Sequence, residues 1–171
     1  MGSDAEYEYE PVGTFEVDMR PMSAAEVVWW RKQATLTPAE IARRENNPHY
    51  RKYPAGEVII AEMAKRIGVT AVIWGRWERE GCTNPRWCAL VREHVETGNP
   101  IPRGAANEYD VRFVADVVGG AEGLAEFLQV VVATSKKYLK TGAPAGHGSG
   151  PLIRYLVNEC DVDTRGLYAN Q

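Results

Sequence analysis

The sequence of 171 residues lacks the marks of several protein classes. No apolar run approaches the roughly 18 residues that a membrane-spanning helix needs, and no signal-peptide pattern opens the chain. We therefore expect a cytoplasmic protein with no membrane partner. Its cysteines are few and odd in number, namely Cys82, Cys88 and Cys160, which argues against a disulfide framework.

The sequence also lacks the patterns of catalysis and cofactor binding. It shows no dinucleotide-binding or P-loop glycine motif, no nucleophile with a base and an orienting acid, and no paired carboxylates at catalytic spacing. The intervals between Cys82, Cys88 and His94 match no zinc pattern, and His147 has no acid–base partner nearby in sequence. We therefore expect that the protein is not an enzyme and has no cofactor or metal site. Cys82 and Cys88 are expected to be buried thiols, and His94 is expected to lie on the surface.

Positive charge is scarce overall but concentrated in the middle of the chain. The net charge is −3 with a pI near 5.7. Residues 1–18 hold six acids and no Lys or Arg, whereas residues 31–103 hold 13 basic and 8 acidic residues. The distribution matters more than the sum for nucleic-acid binding, so the middle of the chain is the candidate interface.

Short helical segments joined by turns dominate the pattern, and no βαβ alternation occurs. Helix caps, prolines, glycines and apolar spacing predict helices at about 23–34, 38–45, 57–66, 71–79, 85–97, 107–118, 120–128, 132–140 and 151–159. Residues 14–19 alternate apolar and polar, as in a short strand or extended coil. We predict an all-α fold with an acidic flexible tail over 1–21, domains at 22–97 and 107–171, and a linker at 98–106.

The segment Ala61–Gly81 has the features of a helix-turn-helix. Gly68 allows the positive φ that the turn between two crossed helices requires, and Thr70 suits the N-cap of the next helix. Ile73 and Trp77 lie four residues apart and are expected to face inward. The opposite face then presents small and basic side chains, which fit a DNA major groove and can contact bases or phosphates.

This segment resembles the helix-turn-helix of Cro/lambda-repressor-like (XRE-type) transcription regulators of phages and mobile elements. The matching residues are Ala64, Ile67, Gly68, Val69, Thr70, Ile73, Trp77, Glu78 and Gly81. The resemblance extends over about residues 22–97, and it implies a compact helical domain that reads double-stranded DNA. The stretch 45–60 departs from the family and is interpreted as an inserted loop.

The candidate DNA-binding residues of the first domain lie on the second helix of the motif and in the inserted loop. On the helix they are Thr70, Ala71, Val72, Trp74, Gly75, Arg76 and Arg79. Trp74 could pack beside Trp77 or stack on the sugar–phosphate backbone. In the loop, Arg51 and Lys52 lie among aromatic residues, as in arms that contact the minor groove or the DNA backbone, although a solvated loop explains them equally well.

A weaker match to the same motif occupies residues 118–142. Tyr138 and Gly142 stand where the first motif has Trp77 and Gly81, while Gln129 replaces the turn glycine. The candidate DNA-binding residues are Thr134, Lys136, Lys137 and Lys140. The alternative is a helical domain that never contacts DNA, because this half of the chain is acidic overall.

Together these features predict tandem helix-turn-helix units in a sequence-specific, double-stranded DNA-binding transcription regulator, of repressor type. If both units read DNA, a monomer suits an asymmetric site; if only the first does, a homodimer on a palindrome is expected. Two alternatives remain open. One is a helical protein-interaction adaptor or antirepressor, favoured by the low pI, and the other is an excisionase-like architectural factor that bends DNA.

Overall fold

A computed structural model describes residues 15–169; within that range it is mostly helical and forms no strand, which confirms the predicted all-α fold. The α-helices, numbered in chain order, are α1 (Ala24–Gln33), α2 (Pro38–Glu45), α3 (Ile60–Ile67), α4 (Ala71–Glu80), α5 (Pro85–Thr97), α6 (Glu108–Val118), α7 (Gly120–Leu128), α8 (Val132–Thr141), α9 (Ser149–Cys160) and α10 (Thr164–Tyr168). Short 3₁₀-helices cover Pro48–Lys52 and Gly146–Gly148.

The described residues divide into two compact units. The first unit comprises residues 19–84 and 88–101, and the second comprises 15–18, 85–87 and 102–169. These limits differ from the predicted ones near the start of the chain, where the ring of Phe15 lies 5.8 Å from that of Phe127 in the second unit. Most of the predicted acidic tail lies outside the described residues. Residues 15–19 form no strand, and the extended-coil alternative applies to them.

The helices of the first unit begin where the sequence provides side-chain caps. Ser23 accepts a hydrogen bond from the Glu26 N–H at 3.1 Å, and Thr37 with Glu40 forms a complete capping box. The carboxylate of Glu26 binds elsewhere, accepting hydrogen bonds from Trp30 Nε1 and Arg92. These caps satisfy backbone N–H groups that a helix start leaves without partners, so the first two helices begin within a residue or two of their predicted positions.

The second unit has a more aliphatic core. Its fully buried side chains include Val111, Val114, Leu124, Leu128, Leu152, Ile153 and Tyr155. The C-terminal helix α10, which the sequence did not predict, packs onto this core through Tyr168, whose hydroxyl donates to Asp116 Oδ2 at 2.7 Å. Its N-cap is Asp163, which accepts a hydrogen bond from the Gly166 N–H.

One backbone feature recurs in both units. Gly81 ends α4, and the next residue, Cys82, exchanges two backbone hydrogen bonds of 2.9 Å with Met22. Gly142 ends α8, and Ala143 exchanges two bonds of the same length with Ala106. In each unit this bridge ties the exit of the second helix of a pair to the residue just before the unit's first capped helix.

Gly81 cannot be replaced without moving the backbone. Its φ is +88° and ψ is 173°, and an added Cβ would lie 2.6 Å from the carbonyl oxygen of Met22. Gly68 also has a positive φ, of +95°, but has nothing within 4 Å of such a Cβ. The two positions therefore separate conformational strain from a direct steric clash.

We expect Gly68→Ala to lower the free energy of unfolding by about 1 kcal/mol, the cost of a left-handed alanine. Gly81→Ala should lower it by about 3 kcal/mol or more, because the clash adds to a conformation that is nearly restricted to glycine. Urea denaturation followed by tryptophan fluorescence measures both. Equal losses in the two variants would show that the contact with Met22 is not maintained in solution.

Candidate nucleic-acid interface

The turn between α3 and α4 has the left-handed geometry that a short interhelical turn requires. Gly68 adopts φ 95° and ψ 24°, and the N–H groups of Gly68 and Val69 both donate to Ala64 O, at 2.9 and 3.0 Å. Thr70 then takes an extended conformation, and its hydroxyl accepts a hydrogen bond of 3.2 Å from the Ile73 N–H. Within a few residues, the turn thus provides hydrogen-bond partners for backbone groups at the end of α3 and at the start of α4.

The buried face of α4 is formed by two tryptophans. Trp74 is fully buried and Trp77 is 9% exposed, with ring centroids 5.6 Å apart. The indole N–H of Trp74 donates to Glu78 Oε2 at 2.6 Å. Trp74 is therefore a core residue and its assignment as a DNA contact was wrong, because its ring is unavailable for stacking on a DNA backbone. Ile73, expected to face inward, is only half-buried.

A largely buried arginine fixes α4 against α1. Arg31 on α1 donates to both carboxylate oxygens of Glu78, at 2.6 and 3.1 Å. The pKa of Arg31 is raised, chiefly by the hydrogen bond to Glu78 and against the opposing effect of burial. The Glu78 carboxylate therefore ties α4 to α1 through Arg31, and within α4 it also accepts the indole N–H of Trp74.

The opposite face of α4 is open to solvent. Ala71, Val72, Arg76 and Arg79 are exposed, with Val72 at 69%. Arg76 Nε lies 4.0 Å from Glu80 Oε2, and both side chains remain well exposed, so this ion pair is weak. The structure therefore brings four of the predicted site residues onto one accessible surface, hereafter the α4 face.

Two predicted site residues border the α4 face. Thr70 is exposed and caps the helix. Gly75 is half-buried, and an added Cβ would lie 3.4 Å from Arg79 Nη1. The guanidinium of Arg79 thus folds back over Gly75, which means that the glycine makes room for the arginine rather than presenting bare backbone.

Two ion pairs fasten α3, the helix that precedes the turn. Arg66 on α3 donates to both carboxylate oxygens of Glu40 on α2, and Arg44 Nε donates to Glu62 Oε2 at 3.0 Å. Burial acts to raise the pKa of Glu40, but hydrogen bonds from Arg66 and from the Thr37 N–H outweigh it and leave the pKa lowered. The carboxylate of Glu40 is therefore held ionised between the two helices.

The helix pair α7–α8 of the second unit repeats this turn with different side chains. Gln129 occupies the left-handed position with φ 59° and ψ 49°, and the Val130 N–H donates to Ala125 O at 3.0 Å. Ser135 is fully buried and its hydroxyl donates to Ala121 O at 2.6 Å. The turn residue and the terminal glycine are thirteen positions apart in both pairs.

Basic residues recur at equal distances from the two turns. Arg76 and Lys137 are each eight residues beyond the turn residue, and Arg79 and Lys140 are each eleven beyond it. Lys136, Lys137 and Lys140 are exposed on α8. Thr134, predicted at the start of this helix, lies in its first turn and is half-buried, since α8 begins at Val132. The sequence contains this register of basic residues, although the match at Tyr138 and Gly142 alone does not reveal it.

The inserted loop is folded rather than irregular. Its 3₁₀-helix Pro48–Lys52 is capped by the side chain of Asn47, and both Arg51 and Lys52 are exposed. The residues that follow this 3₁₀-helix line part of a cleft of about 420 Å³. The residues that line that cleft are Arg31, Tyr53, Pro54, Glu57, Ile59, Ile60, Ala61 and Ala71. The insertion therefore adjoins the start of α4.

His94 differs from its expected position. It is buried rather than on the surface, and its Nδ1 lies 2.7 Å from Asn99 O. Burial lowers its pKa below the ordinary value. The prediction that Cys82 and Cys88 are buried thiols is confirmed.

Comparison with protein-family models, curated proteins and solved structures found no match to this chain. No helix within residues 15–169 has the length and apolar character to cross a membrane. The resemblance of residues 61–81 to repressor-type regulators thus stays a prediction.

The Glu40–Arg66 pair predicts a specific pH dependence of stability. Because folding lowers the pKa of Glu40, its contribution is complete above the unfolded value of about 4.5 and is lost as the pH falls through the folded value. We expect Glu40→Gln to lower the free energy of unfolding by about 3 kcal/mol at pH 7. This difference from the wild type should shrink steadily below pH 4.5, as measured by urea denaturation at several pH values. A difference that does not change with pH would mean that Glu40 is not ionised in the folded protein.

Proposed function

We propose that this chain is a sequence-specific, double-stranded DNA-binding transcription regulator of repressor type, and that the α4 face enters the major groove. The observation that carries the proposal is the division of α4 into two faces. One is held in the core by Trp74 and Trp77, and the other exposes small and basic side chains. A helix that lies in a groove needs both a fixed orientation and an accessible face.

The chemistry of the α4 face suits recognition of base edges. Ala71 and Val72 are short apolar side chains that can contact the methyl group of thymine, and an arginine can bind guanine O6 and N7 or a phosphate. The side chain of Arg76 is 60% exposed, which makes it the better candidate for a base contact. Arg79, folded over Gly75, is placed closer to the helix surface and is assigned to a phosphate.

In the second unit, α8 offers charge without the same apolar and arginine chemistry. Lys136, Lys137 and Lys140 suit phosphates, which position a protein on DNA but do not specify a sequence. We assign α8 a supporting contact with the duplex, which would let a monomer occupy an asymmetric site. A different observation favours the adaptor alternative for this unit, since Val131 and Val132 at the start of α8 are 68% and 39% exposed.

The proposal is tested first on Arg76. A binding site is selected from a pool of random duplexes, and affinity for it is measured by fluorescence anisotropy at several salt concentrations. We expect Arg76→Ala to lose about 1–3 kcal/mol of discrimination at one base pair if Arg76 binds a base. If it binds a phosphate, the loss should be uniform across sequences with a shallower salt dependence.

Arg165→Ala is the matched control, because it removes one exposed positive charge of the second unit from outside both α4 and α8. It should leave the base preference unchanged. Selection of no duplex by the wild-type protein, or equal behaviour of the two variants, would refute the assignment of α4 as the reading helix.

The contribution of α8 is tested by changing Lys136, Lys137 and Lys140 together to alanine. If these lysines bind phosphates, the slope of log K against log salt should fall by about 0.9 for each phosphate that is no longer bound. The hydroxyl-radical footprint should also shorten on one side. An unchanged slope and footprint, together with loss of binding to a protein partner, would instead favour the adaptor function for the second unit.

A further inference from the structure

The inserted loop is held in place by partly buried hydrogen bonds from two arginines to its last residues, Glu57 and Val58. Arg31 donates to Val58 O at 3.0 Å and to Glu57 Oε1 at 3.2 Å, and Arg44 Nη2 donates to Glu57 O at 2.5 Å. Both arginine side chains are only 12% exposed. Because Arg31 also holds Glu78, the insertion and α4 are positioned by the same side chain. A loop fixed in this way acts as a rigid extension of the first unit.

An aromatic cluster stiffens the outer part of the insertion. The rings of His49, Tyr50 and Tyr53 lie 5.8–6.2 Å apart, and the guanidinium of Arg44 lies 5.7 Å from the Tyr50 ring centroid. Arg51 and Lys52 are both exposed at this cluster, and the ammonium of Lys52 lies 5.3 Å from the centroid of the Tyr53 ring. Their positive charges are thus carried on a short, ordered support, which reduces the conformational entropy cost of binding an anion.

The cleft beside the insertion adjoins α4. Its lining includes Tyr53 and Pro54 of the insertion together with Ala61 and Ala71, so the cleft adjoins the first turns of α3 and α4. Its lining is largely apolar, and the acid that faces it, Glu57, is paired with Arg31 at 3.2 Å. The walls suit the deoxyribose edge of a strand, while Arg51 and Lys52 suit its phosphates.

We propose that the insertion is a second DNA contact of the first unit, in which Arg51 and Lys52 bind phosphates of the strand that borders the groove occupied by α4. The inference rests on the proposed function, and it assigns the insertion the role of fixing the register of α4 along the duplex. The partner it names is the sugar–phosphate backbone of double-stranded DNA, recognised by charge and without regard to sequence.

The test compares the double variant Arg51→Ala/Lys52→Ala with a control of equal charge, Arg103→Ala/Arg165→Ala. Both control residues are exposed arginines of the second unit. The probe is the duplex that the wild-type protein selects from a random pool. For the insertion variant we expect the salt slope to fall by about 1.8, as the release of two phosphates requires. Ethylation interference should vanish at one or two phosphates at the edge of the site, while the base preference stays that of the wild type.

The outcomes separate this inference from the function it rests on. If the wild type selects a duplex and Arg76→Ala alters its binding, but the insertion variant matches the charge control in slope and interference, the insertion contact is overturned alone. If the wild type binds neither a selected duplex nor bulk DNA at low salt, the proposed function fails as well. Thermal unfolding of both double variants checks that the fold is unchanged.

Discussion

The hydrogen bonds of Arg31 hold together the parts of the first unit that the candidate interface needs. From α1 its guanidinium reaches Glu78 on α4, and it also reaches Glu57 and the carbonyl of Val58 at the end of the insertion. Glu78 in turn accepts the indole N–H of Trp74. Because the arginine is almost buried, loss of Glu78, which binds it through both carboxylate oxygens, would leave a poorly compensated charge. The orientation of the α4 face and the position of the insertion therefore share one physical cause.

The two units reach a similar turn geometry through different interiors. In the first, Trp74 fills the space behind α4 and buried ion pairs fasten the neighbouring helices. In the second, the equivalent position is Ser135, which bonds to a carbonyl of α7, and the core is aliphatic. Buried ion pairs add little net stability but restrict the alternatives open to a fold. This difference fits our assignment of the precise reading role to the first unit and a supporting role to the second.

Local signals in the sequence were enough to predict most of the helices. Which side chains are buried depends on contacts between residues that are far apart in the chain. The helix starts at Thr37 and Thr70 and the end at Gly68 follow from caps and left-handed turns, which depend on a few adjacent residues. The sequence left open whether Trp74 packs beside Trp77 or contacts DNA, because a helical period allows either Ile73 or Trp74 to face inward; the structure buries Trp74. The choice is made by Arg31, which lies 47 residues from Glu78 in the chain.

Amide chemical shifts can show whether the α4 face enters the major groove, as we propose. Uniformly ¹⁵N-labelled protein is titrated with the duplex selected from a random pool. We expect the largest shifts at Thr70 to Arg79, with a second group at Arg51 and Lys52. Shifts confined to other surfaces, such as the exposed Trp29 on α1, would contradict this proposal, as would a spectrum that the duplex leaves unchanged.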